Sequence, residues 1–109
     1  MKKFESYKDV PKDFTGVCKL LISKSICYYK NGKYHNEFGP ALIYPNCEKH
    51  WHINGLQHRE DGPAAQFADG KIIWYYKDEV YGYNNEFTVK SWKEKVENLK
   101  REESLKIFI

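Results

Sequence analysis

Residues 28–49 read YYKNGKYHNEFGPALIYPNCEK, and residues 51–72 read WHINGLQHREDGPAAQFADGKI. Laid over each other with a shift of 23, they match at Asn31-Gly32 and Asn54-Gly55, at His35 and His58, and at Glu37 and Glu60. The match continues through Gly39-Pro40-Ala41 and Gly62-Pro63-Ala64, Tyr44 and Phe67, and Asn46 and Asp69. A fixed period of this length marks a tandem array, in which each unit buries its apolar side against a neighbour. The same shift carries Tyr28 and Trp51 on to Trp74 and carries Gly39 back to Gly16, so partial copies flank two full ones at 28–50 and 51–73.

Around this array, 109 residues support one domain with a single modest core. Aromatic residues make up 17%, and nine tyrosines suit half-buried strand positions where the ring packs and the hydroxyl stays wet. Net charge is unevenly spread: residues 1–24 carry +3, residues 25–87 carry −2 and residues 88–109 carry +2. A surface that tracks phosphates gathers Lys and Arg on one face, whereas here the repeats are slightly acidic and Arg59 and Arg101 are the only arginines. That distribution argues against nucleic acid as a partner. Three cysteines and an N-terminus without an apolar signal stretch lead us to expect reduced thiols in the cytoplasm. No stretch is apolar for long enough to span a bilayer, so no membrane association is expected.

Each copy has two turn signals, Asn-Gly in one half and Pro45-Asn46 or Asp69-Gly70 in the other, separated by short runs of alternating polarity. This predicts an antiparallel meander of hairpins, because tight primed turns need positive φ at both central residues. The shift stacks Tyr28, Trp51 and Trp74 in one column, expected to be core, and Tyr29, His52 and Tyr75 in another, expected to be partly exposed. Leu21, Tyr44 and Phe67 form a third column, with residues 17–21 as a degenerate forerunner of the second strand. Gly39 and Gly62 are expected in a conformation closed to other residues, with the sheet bending or breaking at each Gly-Pro. After Trp74-Tyr75-Tyr76 the pattern lapses, since Lys77-Asp78 replaces Asn-Gly and no Gly-Pro follows.

From Thr88 the period becomes helical. Val89, Trp92, Val96 and Leu99 share one stripe, with Lys93, Glu94, Glu97 and Arg101 opposite, over a predicted helix at 88–101. Thr88 is placed to cap it and Glu97 to pair with Arg101. Such a helix is a natural lid for the open end of the array. The closing residues Leu105-Lys106-Ile107-Phe108-Ile109 read equally as strand or as helix.

The string Trp-x-x-Asn-Gly-x-x-His-Arg-Glu-Asp-Gly-Pro-Ala, carried by Trp51 to Ala64, resembles the MORN-like tandem repeats of bacterial, bacteriophage and large-virus proteins. The likeness covers residues 14–82; Phe38 in place of the acidic residue before Gly39, Cys47 in place of the turn glycine, and the eroded third copy depart from it. The resemblance implies a mainly β (α+β) fold, a meander of hairpin repeats closed by the C-terminal helix. It further implies a scaffold or interaction surface, with protein partners and, in some members, phospholipids. Short versions are common in phages, where small proteins block host machinery.

His58-Arg59-Glu60-Asp61 gathers a base, a cation and two carboxylates, which is the content of a catalytic centre. The recurrence of His35 and Glu37 at the same frame positions opposes that reading, because structural bonds are needed once per unit and a catalytic centre once per chain. Cys27, Cys47, His50 and His52 contain zinc-ligand types, yet Cys27 and His50 are one unit apart with a strand between them, too far for one tetrahedral ion. We therefore expect no enzyme, no metal and no cofactor, and a module that binds another protein through Tyr29, His52, Tyr75, Arg59, Glu60 and Asp61. The second reading is a phage-type inhibitor of a host-defence complex such as CRISPR, its acidic loop imitating phosphates. Pairing of an open N-terminal edge between two copies would give a homodimer.

Overall fold

A computed structural model of the chain describes residues 1–106, with β1 (Lys2–Phe4), β2 (Gly16–Leu20), β3 (Ser25–Lys30), β4 (Lys33–Tyr34), β5 (Leu42–Ile43) and β6 (Lys49–His50). These are followed by β7 (His52–Ile53), β8 (Leu56–Gln57), β9 (Ala65–Gln66), β10 (Ile72–Tyr76), β11 (Glu79–Tyr83) and one helix, α1 (Val89–Lys106). The protein is mainly β with a C-terminal helix, as the periodicities require. The main sheet runs β1-β2-β3-β5-β6-β9-β10-β11, with β4 on the far half of β3 and β7-β8 as a separate pair. Neighbours are antiparallel except β1 with β2. The edge that sequence leaves open at β2 is thus covered by β1.

The hairpins explain the Gly-Pro break. β3 pairs with β4 through Tyr29↔Tyr34 and Lys30↔Lys33, and with β5 through Cys27↔Leu42 and Ile26↔Ile43. Between these ladders His35 N–H donates to Tyr28 O at 2.9 Å, while Tyr28 N–H donates to Ala41 O at 2.7 Å. Residues 36–40 therefore leave the ladder and return opposite the same residue. One unit on, His58 N–H donates to Trp51 O at 3.0 Å and Trp51 N–H to Ala64 O at 2.8 Å, which extrudes residues 59–63 in the same way.

The third copy keeps the turn that its sequence has lost. Lys77 and Asp78 hold φ of 47° and 72°, close to Asn31-Gly32 at 51° and 77° and Asn54-Gly55 at 51° and 82°. A left-handed non-glycine residue costs about 1–2 kcal/mol, and a hydrogen bond from Gln57 N–H to Asp78 Oδ1 at 3.0 Å offsets part of that. What the third copy does lose is the excursion. β11 pairs with β10 through Tyr76↔Glu79, Tyr75↔Val80, Trp74↔Gly82 and Ile73↔Tyr83, leaving only Tyr81 out of the ladder.

The forerunner strand departs from the expected frame by one residue. Leu42 pairs with His50, which on the 23-residue shift would set Lys19 against Cys27, but Cys18 stands opposite Cys27. Side-chain parity decides this: the observed register turns Cys18 and Leu20 inward, whereas the expected one would bury Lys19. The third column is accordingly Leu20, Tyr44 and Phe67. Leu20 is 5% exposed, and Leu21 is 40% exposed in the following turn.

Direct ladder partners Cys27, Leu42, His50, Ala65 and Ile73 form one row and so share one face of the sheet. On that face Cys18, Leu20, Cys27, Tyr29 and Leu42 make a core covered by Phe4, Val10 and Phe14 of the N-terminal segment. Alternation puts Trp74 and Tyr76 on the opposite face, where they pack with Trp92, Val96 and Leu99 of α1. Two small cores thus lie at opposite ends on opposite faces. Tyr29 is only 8% exposed, correcting its expected exposure, because the N-terminal segment covers its column. The Trp74 end of the other column is buried as expected, while Tyr28 and Trp51 are half-buried.

Thr88 caps α1: Ser91 N–H donates to Thr88 Oγ1 at 3.1 Å. Val89 is exposed, so the buried stripe is Trp92, Val96 and Leu99. Arg101 donates to Asn98 Oδ1 at 3.0 Å and takes Asn98 in place of the expected Glu97. The helix runs through Lys106, which decides Leu105-Lys106 as helix; Ile107-Phe108-Ile109 lies outside the described residues.

The register makes a paired prediction. Leu20→Ala should cost about 2–4 kcal/mol in urea unfolding, and Leu21→Ala no more than about 0.5 kcal/mol. The reverse order would restore the 23-residue frame.

Candidate functional site

The reactive-looking histidines hold turns. Asn54 N–H donates to His35 Nδ1 at 2.9 Å, and one unit on Lys77 N–H donates to His58 Nδ1 at 3.0 Å. The other ring nitrogen faces the unit's glutamate, His35 Nε2 at 3.6 Å from Glu37 and His58 Nε2 at 3.0 Å from Glu60. Nδ1 accepts, so Nε2 carries the proton and points it at the carboxylate. His58 consequently has neither nitrogen turned to a substrate.

The extruded loops are braced from within. Asn36 Nδ2 donates to Pro40 O at 3.1 Å, and in the next unit Arg59 Nη1 donates to Pro63 O at 3.1 Å. Side chains of different length therefore do one job. This corrects the expectation for the two glycines, neither of which has positive φ. At Gly62 a Cβ would stand 2.7 Å from Arg59 Cζ, so a side chain there would displace the guanidinium from its place in the loop. The equivalent Gly39 is less crowded, its nearest neighbour being Asn36 Nδ2 at 3.7 Å.

Between the two loops lies an open groove of about 730 Å³ with Trp51 and Ile53 among its lining residues. One side is formed by residues 36–40 and the other by His58, Arg59, Glu60 and Asp61. Arg59 lays its guanidinium 4.1 Å from the centre of the Trp51 ring and donates from Nε to Asp61 Oδ1 at 2.9 Å. On the opposite side Phe38 is 96% exposed. Glu60 also bonds Lys100 Nζ of α1 at 2.6 Å. Burial pushes the Glu60 carboxyl up, but hydrogen bonds from Lys100 and His58 outweigh it and hold it below its ordinary value.

The six expected contact residues thus divide. Arg59, Glu60 and Asp61 meet at the groove. Tyr29, His52 and Tyr75 occupy the other face, with Tyr29 buried and the other two half-buried. Phe38, Trp51 and Ile53 belong to the groove and were not among the six. Phe38 carried a signal, since an aromatic stands where the next copy has Asp61; Ile53 carried one as well, since alternation sets it on the face of Trp51, a column expected to be core.

Cys18 and Cys27 are buried and Cys47 exposed, all unpaired. Burial pushes the Cys27 thiol up to about 11, which keeps it protonated and a weak nucleophile. Among the described residues no three His, Cys, Asp or Glu side chains are gathered to hold a metal ion, and no helix is long and apolar enough to cross a membrane. Comparison of the chain with protein-family models, curated proteins and solved structures returned no match.

Two outcomes test this anatomy. His58→Ala removes the acceptor for Lys77 N–H and should lower stability by about 1–2 kcal/mol in chemical denaturation, with the fold retained. His52 is depressed below its ordinary 6.5, first by burial and then by His50, and its Nδ1 is buried without a partner. The unfolded chain takes up this proton at 6.5 and the folded chain only at lower pH, so the contribution is complete above 6.5 and is lost as pH falls. The melting temperature should therefore drop between pH 7.5 and 5.5, and the drop should shrink in His52→Phe.

Proposed function

We propose that this chain is a non-enzymatic protein-binding module of MORN-like repeats, and that its binding surface is the groove between the two extruded loops. The observation that carries this reading is Phe38, a fully projecting aromatic beside a half-open Trp51 and Ile53, faced by the charged wall of Arg59 and Asp61. An aromatic and arginine centre with a charged rim is the composition of protein interfaces, and here Phe38, Trp51 and Ile53 line one groove together, a contiguous patch where a single exposed side chain would carry no argument. The one histidine of the groove, His58, holds a turn through Nδ1 and faces Glu60 through Nε2, so its ring is not turned to a substrate. Unpaired thiols suit a reducing, cytoplasmic setting. Charge mimicry of phosphates draws no support, because Glu60 is neutralised by Lys100 and Asp61 by Arg59.

Cross-linked capture from the native host, read by mass spectrometry, tests the module. Phe38→Ser and Asp61→Lys alter exposed side chains and should leave the melting temperature unchanged while reducing capture about tenfold or more. A partner retained by both variants would place the binding surface elsewhere.

A further inference from the structure

The groove has an equivalent in this chain that is already filled. Shifted by 23, Trp51 becomes Trp74, Ile53 becomes Tyr76, Asn36 becomes Arg59 and Glu37 becomes Glu60. The equivalence holds in space as well. Asn36 N–H donates to His52 O at 3.1 Å and Arg59 N–H to Tyr75 O at 3.4 Å, so each loop is docked on the following strand at the same point. Over the second of these sites lies α1. Trp92 packs on Trp74 with ring centres 5.6 Å apart and donates its indole N–H to Arg59 O at 2.8 Å. Eight residues later, two turns along the same helix face, Lys100 reaches Glu60. Under this cover Trp74 and Tyr76 are 2% and 4% exposed. Trp51 and Ile53 have no such cover, and the Glu37 side chain, 62% exposed, stands where Glu60 receives its lysine.

We propose that the groove receives an amphipathic α-helix of a partner protein, seated as α1 is seated one unit along. Its aromatic residue lies over Trp51 and Ile53, and a lysine eight positions later meets Glu37. The inference rests on the reading of the groove as a protein-binding surface and names what fills it.

Two differences between the sites set the chemistry of the occupant. Gly82 stands where Arg59 stands one unit earlier, and its missing side chain admits Phe87, whose ring would lie 2.9 Å from a Cβ there. Phe87 then backs Trp92 at 5.0 Å. In the open groove the Arg59 guanidinium takes that place, so the incoming residue stacks on a cation, which favours tryptophan or tyrosine over an aliphatic side chain. Phe38 replaces Asp61 in the equivalent loop, so the flank of the helix that faces Phe38 is apolar. A second copy of this chain is a poor occupant. Its Trp92, Val96 and Leu99 are buried on its own sheet, and offering them elsewhere would uncap it.

The test uses the full-length chain and a synthetic peptide of residues 87–104, which carries the Trp92 and Lys100 spacing. Titration followed by NMR should shift Phe38, Trp51 and Ile53 saturably and leave Trp74 and Tyr76 in place. Trp92→Ala in the peptide, or Phe38→Ser or Ile53→Glu in the chain, should each weaken binding about tenfold or more. Glu37→Lys should weaken it about threefold, and a peptide bearing Lys100→Glu should recover the loss. The inference is overturned by an absence of saturable shifts, by shifts confined to Trp74 and Tyr76, or by a dimer of the chain alone that the peptide dissociates. If the native partner is lost in Phe38→Ser while the peptide gives no shifts, the helix fails and the binding module stands. A partner retained in Phe38→Ser and Asp61→Lys removes the module reading whatever the peptide does.

Discussion

Everything else in this chain depends on how each turn is docked onto the unit before it. The first central residue of each turn donates its N–H to a side chain upstream: Asn31 to Thr15 Oγ1, Asn54 to His35 Nδ1, Lys77 to His58 Nδ1. The second donates to an upstream carbonyl: Gly32 to Phe14, Gly55 to Tyr34, Asp78 to Gln57. A primed turn leaves these two N–H groups pointing outward, and here the preceding unit meets both of them in place of water. Satisfying both fixes the distance between successive hairpins and, through the His–Glu pair, the base of each loop. The loops then stand in parallel and the space between them becomes a groove.

The same constraint explains why sequence showed some parts and hid others. The Asn-Gly turns, the alternation at Trp51 and Ile53 and the stripe Trp92, Val96, Leu99 are local patterns with local causes, so the hairpins and the helix were legible. The turn at Lys77-Asp78 was hidden because neighbours impose it: His58 and Gln57 hold the backbone in a conformation that its own residues disfavour. The one-residue offset of β2 was hidden because the period suggested Lys19 where parity demands Cys18. Tyr29 was misread for a third reason. Which face is buried at each end is decided by the segments beyond the array, Phe4 to Phe14 at one end and α1 at the other, and no property of the column itself reports it.

In the candidate site, repetition was informative in the negative. His35 and His58, with Glu37 and Glu60, recur because each unit needs them, and their geometry leaves no nitrogen for chemistry. The informative positions are those where the copies differ, but difference alone proved insufficient. Arg59 and Asn36 differ in sequence and act alike, both bonding the proline carbonyl of their own loop. Asp61 and Phe38 differ and do not act alike: one answers Arg59, while the other projects into water.

The two cores at opposite ends leave the unit at 51–73 with buried Pro63, Ala64 and Ala65 and little else. Its cohesion comes from bonds to its neighbours, which are the same bonds on both sides. Length is therefore a free variable of this architecture. A chain with residues 51–73 copied once more would keep both end caps, meet the same donors and acceptors at each new junction, and gain one further groove per added copy. The valency of the surface would rise in integer steps without any change to the residues that close it.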